Sequence, residues 1–392
     1  MEIFKTDKIY ETDGHCKNFE AEVLWCEENS DGMFDIILNR TAFFPEGGGQ
    51  SSDEGTLDGQ DVLFLRTENN ETTIVHTVKN PIPVGKLVYG EINMKERFSR
   101  MQNHTAEHIC SGIIYSLYGF NNIGFHMGQD EITMDFDGLF TQEQINNIEF
   151  LANEAVYKNV PVKFSFCKPN EADNIFYRSK KKIETTLRLV EIEGIDVCAC
   201  CAPHVSRTGE IGVIKILGFQ KYKGGTRISL LAGERAFKEL NKHFNNVKKI
   251  TNSLSSNMND ICERFEQMQK ELSEVKIAKT AAKQQYYSLL ASTYQDNCND
   301  NILFFDENAT VEEMRFFVNL LMAKTTKICA FFSGFDGNFK FIAGSTGVDM
   351  TKISQALRTE LHASCGGKTQ MIQGSVCTAA SEIYNFFENV LF

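Results

Sequence analysis

His104-Thr105-Ala106-Glu107-His108 and, further along, Cys198-Ala199-Cys200-Cys201-Ala202-Pro203-His204 are the stretches that decide how this chain is read. The first sets two imidazoles at i and i+4, one above the other on a helix face, within reach of a single ion. The surrounding residues keep that period. Met101, His104, Thr105, His108 and Ile109 recur at i, i+3, i+4, i+7 and i+8. The second stretch adds a thiol and an imidazole within one short turn. Two histidines four apart are common by chance, but paired with the second stretch they read as one tetrahedral site. Thiolate with imidazole favours Zn²⁺ over Mg²⁺ or Ca²⁺. On chemistry alone Cys200, Cys198 and Cys201 compete for the thiolate position.

Upstream, residues 1–93 read as β. Phe19 to Cys26, Met33 to Phe44, Asp61 to Arg66, Thr72 to Val78 and Lys86 to Ile92 are rich in β-branched and aromatic residues, with turn signals between them. A small barrel or strongly bent sheet is expected. Residues 94–235 begin with the histidine helix and continue as mixed α and β. Gln142 to Tyr157 predicts a helix, and Val162 to Phe166, Leu187 to Ile192, Ile211 to Ile216 and Thr226 to Ala232 predict strands. Residues 236–299 predict a long coiled-coil-like helix. Leu240, Phe244, Val247, Leu254, Met258, Ile261, Phe265, Met268, Leu272 and Val275 step mainly by threes and fours, and no proline interrupts them. Asn252-Ser253 and Ser255-Ser256-Asn257 could instead turn the chain back as a hairpin. Residues 300–392 predict an α/β unit. Its strands lie in Asn301 to Phe305, Ile328 to Phe332 and Phe339 to Ala343, and its helices in Val311 to Met322 and Thr351 to Ala363. The fold class is therefore α+β.

The chain has 392 residues, 42% hydrophobic, a net charge of −12 and 12 cysteines. That length suits several domains with real cores. No apolar run is long enough to span a membrane, and the N-terminus lacks a basic-then-apolar leader. Scattered cysteines without an export signal read as reduced cytoplasmic thiols, with clustered ones suspected of binding metal. The acidic balance argues against general nucleic-acid binding but leaves room for a local basic surface. Arg178-Ser179-Lys180-Lys181-Lys182 and the run from Lys215 to Arg227 are the candidates.

The metal pattern, followed by Val205-Ser206-Arg207-Thr208-Gly209-Glu210-Ile211-Gly212, resembles the editing domain of alanyl-tRNA synthetases and the free-standing AlaX editing proteins. Thr41-Ala42-Phe43-Phe44-Pro45-Glu46-Gly47-Gly48-Gly49-Gln50 looks like the family's glycine-rich loop. Gly224-Gly225-Thr226-Arg227-Ile228 through Gly233-Glu234-Arg235-Ala236 looks like the end of its editing core. His362 through Gly374, around Cys365-Gly366-Gly367-Lys368, resembles the DHHA1-type C-terminal domain, so the long form of AlaX is the nearest pattern.

The resemblance implies one Zn²⁺ on His104, His108, Cys200 and His204. It implies ATP-independent hydrolysis of Ser-tRNA(Ala), and of Gly-tRNA(Ala) as a further substrate, in the cytoplasm. The acceptor end of tRNA(Ala) would be the partner, and the helix and terminal domain would form a homodimer. Thr41 becomes the candidate contact for a serine hydroxyl, with Gly47, Gly48, Gly49 and Gln50 letting backbone approach the substrate. Glu107 is a candidate base, although it sits about 100° round the helix from His108, where a surface ion pair is the plainer expectation. Lys180, Lys181, Lys182 and Arg227 are candidates for tRNA contact. This chain departs from the family at Cys201-Ala202-Pro203, where relatives carry Gly-Gly-Thr. The span before the editing core is too short for an aminoacylation domain of the usual size.

Two other classes compete. His104-Thr105-Ala106-Glu107-His108 fits the H-x-x-E-H signature of a zinc metalloprotease, which normally completes its site with a carboxylate. Four complete ligands also suit a non-catalytic zinc site in an RNA-binding or dimerisation protein.

Overall fold

The computed structural model describes residues 4–69, 71–128, 130–168, 176–179 and 187–389. They form two compact units, Met1–Lys248 and Lys249–Phe392. No helix among the described residues is long and apolar enough to cross a membrane.

The first unit begins with a seven-stranded antiparallel sheet. Its order is Gln60–Asp61, Gly55–Leu57, Leu87–Ile92, Asn18–Glu28, Phe34–Leu38, Thr73–Val78, Phe64–Glu68. Asn18–Glu28 turns the corner. Its first half pairs with Leu87–Ile92 and its second with Phe34–Leu38, with a register shift between Val23 and Trp25 on the second side. Alternating residues of this strand, Phe19, Ala21 and Val23, enter a core with Ile36, Leu38, Phe43 and Val88. The expected bent sheet is therefore present. As a barrel it is open, because Gln60–Asp61 and Phe64–Glu68 end the ladder without pairing to each other.

Helix α1 (Met94–Tyr118) follows, capped by the Asn93 side chain and closed by left-handed Gly119. Helix α2 (Gln142–Lys158) starts in a Thr141–Gln144 capping box. Both pack with an antiparallel sheet in the order Asn122–Met127, Ile132–Phe136, Gly225–Ala232, Ile214–Tyr222. A three-stranded sheet, Val162–Cys167, Leu187–Ile192 and Asp196–Ala199, brings the cysteine stretch against α1. Gly112 permits that approach: a Cβ there would lie 2.5 Å from Ile195 O and 2.8 Å from Asp196 Cβ.

The periodic segment after Glu234 is not one helix. Helices α3 (Gly233–Ser253) and α4 (Ile261–Ser292) are separate. The break falls on the polar cluster expected to turn. Ser255 takes a positive φ of 49°, and the Asn257 side chain accepts from the Asn259 and Asp260 N–H groups at 2.9 and 3.2 Å. Asparagine and serine offer the backbone these local bonds in place of the helical ladder, so apolar spacing alone could not carry the helix through.

The second unit holds a five-stranded sheet in the order Ile302–Asp306, Cys329–Phe335, Asn338–Gly344, Met371–Val376, Ser364–Lys368. Helices α5 (Val311–Met322), α6 (Met350–Glu360) and α7 (Ala380–Asn389) accompany it. Cys365-Gly366-Gly367-Lys368 lies in an edge strand of this sheet.

Candidate metal centre

The middle of α1 is buried on every side. Each residue from Met101 to Ser111 is enclosed, because sheets, α2 and the Thr208–Ile211 turn all lie against the helix. Such a helix can keep polar side chains only if each finds a partner. Gln102 donates to Glu210 O at 2.8 Å, and Asn103 Oδ1 accepts from Ala232 N at 2.8 Å.

The histidines are held the same way, by the nitrogen facing away from the cluster. His104 Nδ1 donates to Gln50 Oε1 at 2.8 Å. His108 Nδ1 donates to Asp196 Oδ2 at 3.2 Å. Thr105 gives its hydroxyl hydrogen to Met101 O, so its oxygen accepts from His204 Nδ1 at 3.1 Å. Partners of this kind fix ring orientation and tautomer, as outer groups do around metal-ligating histidines. The Nε2 atoms of His104 and His204 then lie 3.6 and 3.4 Å from Cys200 Sγ. One ligand atom from each of His104, His108, Cys200 and His204 lies within 4.8 Å of all the others, so these residues could hold a metal ion.

The three cysteines differ in their surroundings. Cys201 is exposed. Cys198 groups with His108 and Asp196, but both Asp196 oxygens already accept from Arg178, at 2.7 and 2.8 Å. Burial pushes the Cys198 thiol up to about 11. Burial would raise Cys200 too, but the His104 and His204 rings outweigh it and bring that thiol well below its ordinary value. Burial also lowers His204 to about 3, keeping its ring neutral and able to ligate. For Asp196, burial is opposed by hydrogen bonds from His108 and Arg178, and the carboxyl ends below its usual range.

The Cys201-Ala202-Pro203 departure fits locally. Ala202 fills a small apolar cluster with Tyr10 and Phe44, beside Cys200. Arg188 clamps the turn, donating from Nη1 to Cys200 O at 2.8 Å and Ala202 O at 3.0 Å.

Glu107 corrects an expectation. It is buried, not on the surface, because the helix is enclosed all round. Its Oε1 accepts from Ser111 Oγ at 2.9 Å and Asn122 Nδ2 at 2.5 Å, and its Oε2 lies 3.8 Å from His108 Nε2.

The glycine-rich loop meets α1 through Gln50, whose Nε2 is buried without a hydrogen-bond partner. Gly47 and Gln50 pair across the loop, and Gly48 and Gly49 have φ of 60° and 86°. A Cβ on Gly49 would come within 2.5 Å of Phe125 O. Thr41 is fully buried. Its hydroxyl accepts from Phe43 N–H at 3.1 Å and donates to His76 Nε2 at 2.8 Å. One lone pair remains, which a substrate hydroxyl could reach only by displacing neighbours.

Arg227 is not a free cation. It pairs with Asp135 through Nε at 2.6 Å and Nη2 at 2.8 Å, and its guanidinium lies 3.8 Å from the Tyr222 ring centroid. Lys180, Lys181 and Lys182 lie outside the described residues.

Sequence reasoning missed Asp196, Thr105 as a ring anchor, and a buried ion pair. Arg97 meets both oxygens of Asp53 and donates to Ala42 O at 2.6 Å and Gly14 O at 3.1 Å. Asp53 also accepts from Phe44 N–H at 2.6 Å, so the start of α1 holds the strand leading into the glycine-rich loop. The only sequence signal was an arginine on the first turn of the histidine helix.

The chain matches two protein families. Residues 187–229 match the threonyl and alanyl tRNA synthetase second additional domain, a stretch that contains Cys200 and His204. Residues 8–96, which contain the N-terminal sheet, match class II (A) tRNA synthetases. An alanine–tRNA ligase of Ignicoccus hospitalis is 31% identical over 300 residues, 74% of this chain and 32% of that protein. The alanyl-tRNA editing protein Aarsd1-A of Xenopus laevis is 31% identical over 249 residues, 62% of this chain and 60% of the relative. AlaX-L of Pyrococcus horikoshii, also an alanyl-tRNA editing protein, is 29% identical over 244 residues, 60% of each chain. The matched region thus spans 60% of the editing proteins and about a third of the ligase. These likenesses make the chain similar to a class of alanine–tRNA ligases and alanyl-tRNA editing proteins. Within that class it is AlaX-like, as its metal and glycine-loop motifs implied.

Proposed function

We propose that this chain is a trans-editing hydrolase that removes the wrong amino acid, chiefly serine, from tRNA(Ala) at a zinc site. One observation carries the reading: three histidines, each oriented through Nδ1, converge with a low-pKa thiol in a buried cluster beside a glycine-rich loop. A buried set of one thiolate and three imidazoles fits Zn²⁺. His104, His108, Cys200 and His204 would hold it, and bound Zn²⁺ supplies Lewis acidity toward an ester carbonyl or water.

The chain's own residues do the rest. Gln50, Asp196 and Thr105 keep the imidazoles in register. Glu107, fixed by Ser111 and Asn122, is our candidate for orienting the attacking water. The orphaned Gln50 Nε2 is a buried donor that a substrate oxygen would satisfy, which gives the loop a reason to receive the aminoacyl group. Thr41 is our candidate for the serine hydroxyl, which would reach its remaining lone pair only once the residues packed around it shift. A site that pairs with that hydroxyl disfavours alanine by leaving a polar group unmatched. We also propose self-association through the apolar faces of α3 and α4, and tRNA contact through Lys180, Lys181 and Lys182.

The test is deacylation of Ser-tRNA(Ala) and Ala-tRNA(Ala) by zinc-loaded protein. Faster loss of serine supports the reading. Peptide hydrolysis without deacylation would favour a protease, and a bound zinc with no turnover would favour a structural site.

A further inference from the structure

The hairpin of Ile214–Tyr222 and Gly225–Ala232 forms one side of the four-stranded sheet packed with α1 and α2. Lys223 and Gly224, with φ of 46° and 84°, make its two-residue turn. Its cations are Lys215, Lys221, Lys223 and Arg227. Glu149 takes Lys215 at 2.7 Å, and Asp135 takes Arg227 at 2.6 Å. Lys221 and Lys223, both exposed at the tip, are in no ion pair among the described residues. The carboxylates next along the sheet are already engaged, Asp135 by Arg227 and Asp137 by Asn121 N and Nδ2 at 2.7 and 2.8 Å. Tyr222 stiffens the turn, its ring centroid 3.8 Å from the Arg227 guanidinium and 5.1 Å from Lys223 Nζ. On a chain of net charge −12, two unpaired lysines held at a fixed turn make a local positive point.

The sheet measures how far that point lies from the chemistry. Asn122 donates to Glu107 Oε1 at 2.5 Å, and Glu107 Oε2 lies 3.8 Å from His108 Nε2. Across the ladder Asn122 pairs with Phe136, Phe136 with Thr226, and Thr226 with Lys221. Asn122, Phe136 and Thr226 are buried, and the row emerges into solvent at Lys221. Three steps of about 4.8 Å put the tip about 14 Å from Asn122. Stacked nucleotides advance about 3.4 Å each, so that span is about four nucleotides.

We propose that this hairpin tip docks on the RNA backbone, Lys221 and Lys223 meeting phosphates about four nucleotides from the esterified end. Lysines contact phosphates as point charges and read no base edge. The tip therefore sets how far the 3′ end reaches toward the cluster, and it does so for any sequence. The inference rests on the aminoacyl-tRNA reading above and names a docking surface for that substrate.

The test measures binding of the zinc-loaded full chain to an uncharged RNA hairpin with four unpaired 3′ nucleotides, by fluorescence anisotropy across a salt series. The variant is Lys221→Gln with Lys223→Asn, asparagine being a residue that tolerates positive φ. It should bind about tenfold more weakly at about 0.1 M salt, with the slope of log K against log salt shallower by about 1.5. Lys79→Gln with Lys86→Gln, equal in charge change and exposed around the N-terminal sheet, should bind as wild type. Neutral methylphosphonates at the fourth and fifth phosphates from the 3′ end should weaken wild type to the level of the hairpin variant and weaken that variant no further. An unchanged salt slope in the hairpin variant, or phosphate and lysine losses that simply add, overturns the docking surface. The parent reading is tested apart from it with a serylated CCA trinucleotide, too short to reach the tip. Wild type and the hairpin variant should hydrolyse it equally. If wild type hydrolyses neither this nor Ser-tRNA(Ala) while the binding results hold, the surface stands and the activity falls.

Discussion

Replacing Asp196 with alanine should loosen the metal without touching a ligand. Asp196 accepts from His108 Nδ1 at 3.2 Å and is itself held by two bonds from Arg178. Alanine frees the ring to rotate about its χ angles and to take the other tautomer, so part of the His108 population no longer presents Nε2. Arg178 also loses its carboxylate partner, leaving a largely buried positive charge near the site where a cation must bind. Loss of such an outer partner typically weakens metal binding by about 10- to 100-fold. That corresponds to about 1.4 to 2.8 kcal/mol. Zinc affinity measured by competition with a chromophoric chelator reads this directly, and circular dichroism checks that the fold persists. An affinity within twofold of wild type, with the fold intact, would refute the claim that Asp196 orients His108.

Cys200→Ala should lower zinc occupancy after dialysis and abolish deacylation, whereas Cys201→Ala should keep both; metal analysis of the two variants separates the assignments. Arg97→Met leaves Asp53 buried and unpaired, and should cost about 3 to 5 kcal/mol in denaturant unfolding. Burial draws His76 down to about 4, so its pH dependence has a definite sign. Below the unfolded value near 6.5 the unfolded chain takes up the proton first. Its contribution is therefore whole above that value and is lost progressively toward pH 4, about 3 kcal/mol in all. His76→Gln should flatten that part of the stability profile. Thr41→Val removes the buried bond to His76 and should cost about 1 to 3 kcal/mol. It should also narrow the Ser-over-Ala ratio in deacylation, and an unchanged ratio would remove Thr41 from recognition.

What was legible in the sequence was whatever a local pattern could carry. The i, i+4 histidines announced α1, and β-branched runs announced Leu187–Ile192 and Thr73–Val78 to within a residue. The hairpin Asn122–Met127 and Ile132–Phe136 was missed, because glycine, histidine and asparagine dilute its alternation and the partner that buries it, Gly225–Ala232, is distant in sequence. The same limit hid the outer partners of the site. Asp196 and Gln50 meet their histidines only once separate sheets are packed against α1, and nothing next to either residue signals that meeting. Glu107 was misjudged because a single apolar face was assumed for a helix that is enclosed all round. The helix break shows the converse, with a local polar cluster overriding a long-range apolar period.

The most direct test of the central claim is deacylation of Ser-tRNA(Ala) by the full chain with zinc, after chelation, and after zinc is restored. The account predicts rapid loss of serine, its abolition by the chelator and its return with zinc, with Ala-tRNA(Ala) largely spared. Zinc-loaded protein that leaves Ser-tRNA(Ala) intact, or hydrolysis that continues after complete zinc removal, would contradict it.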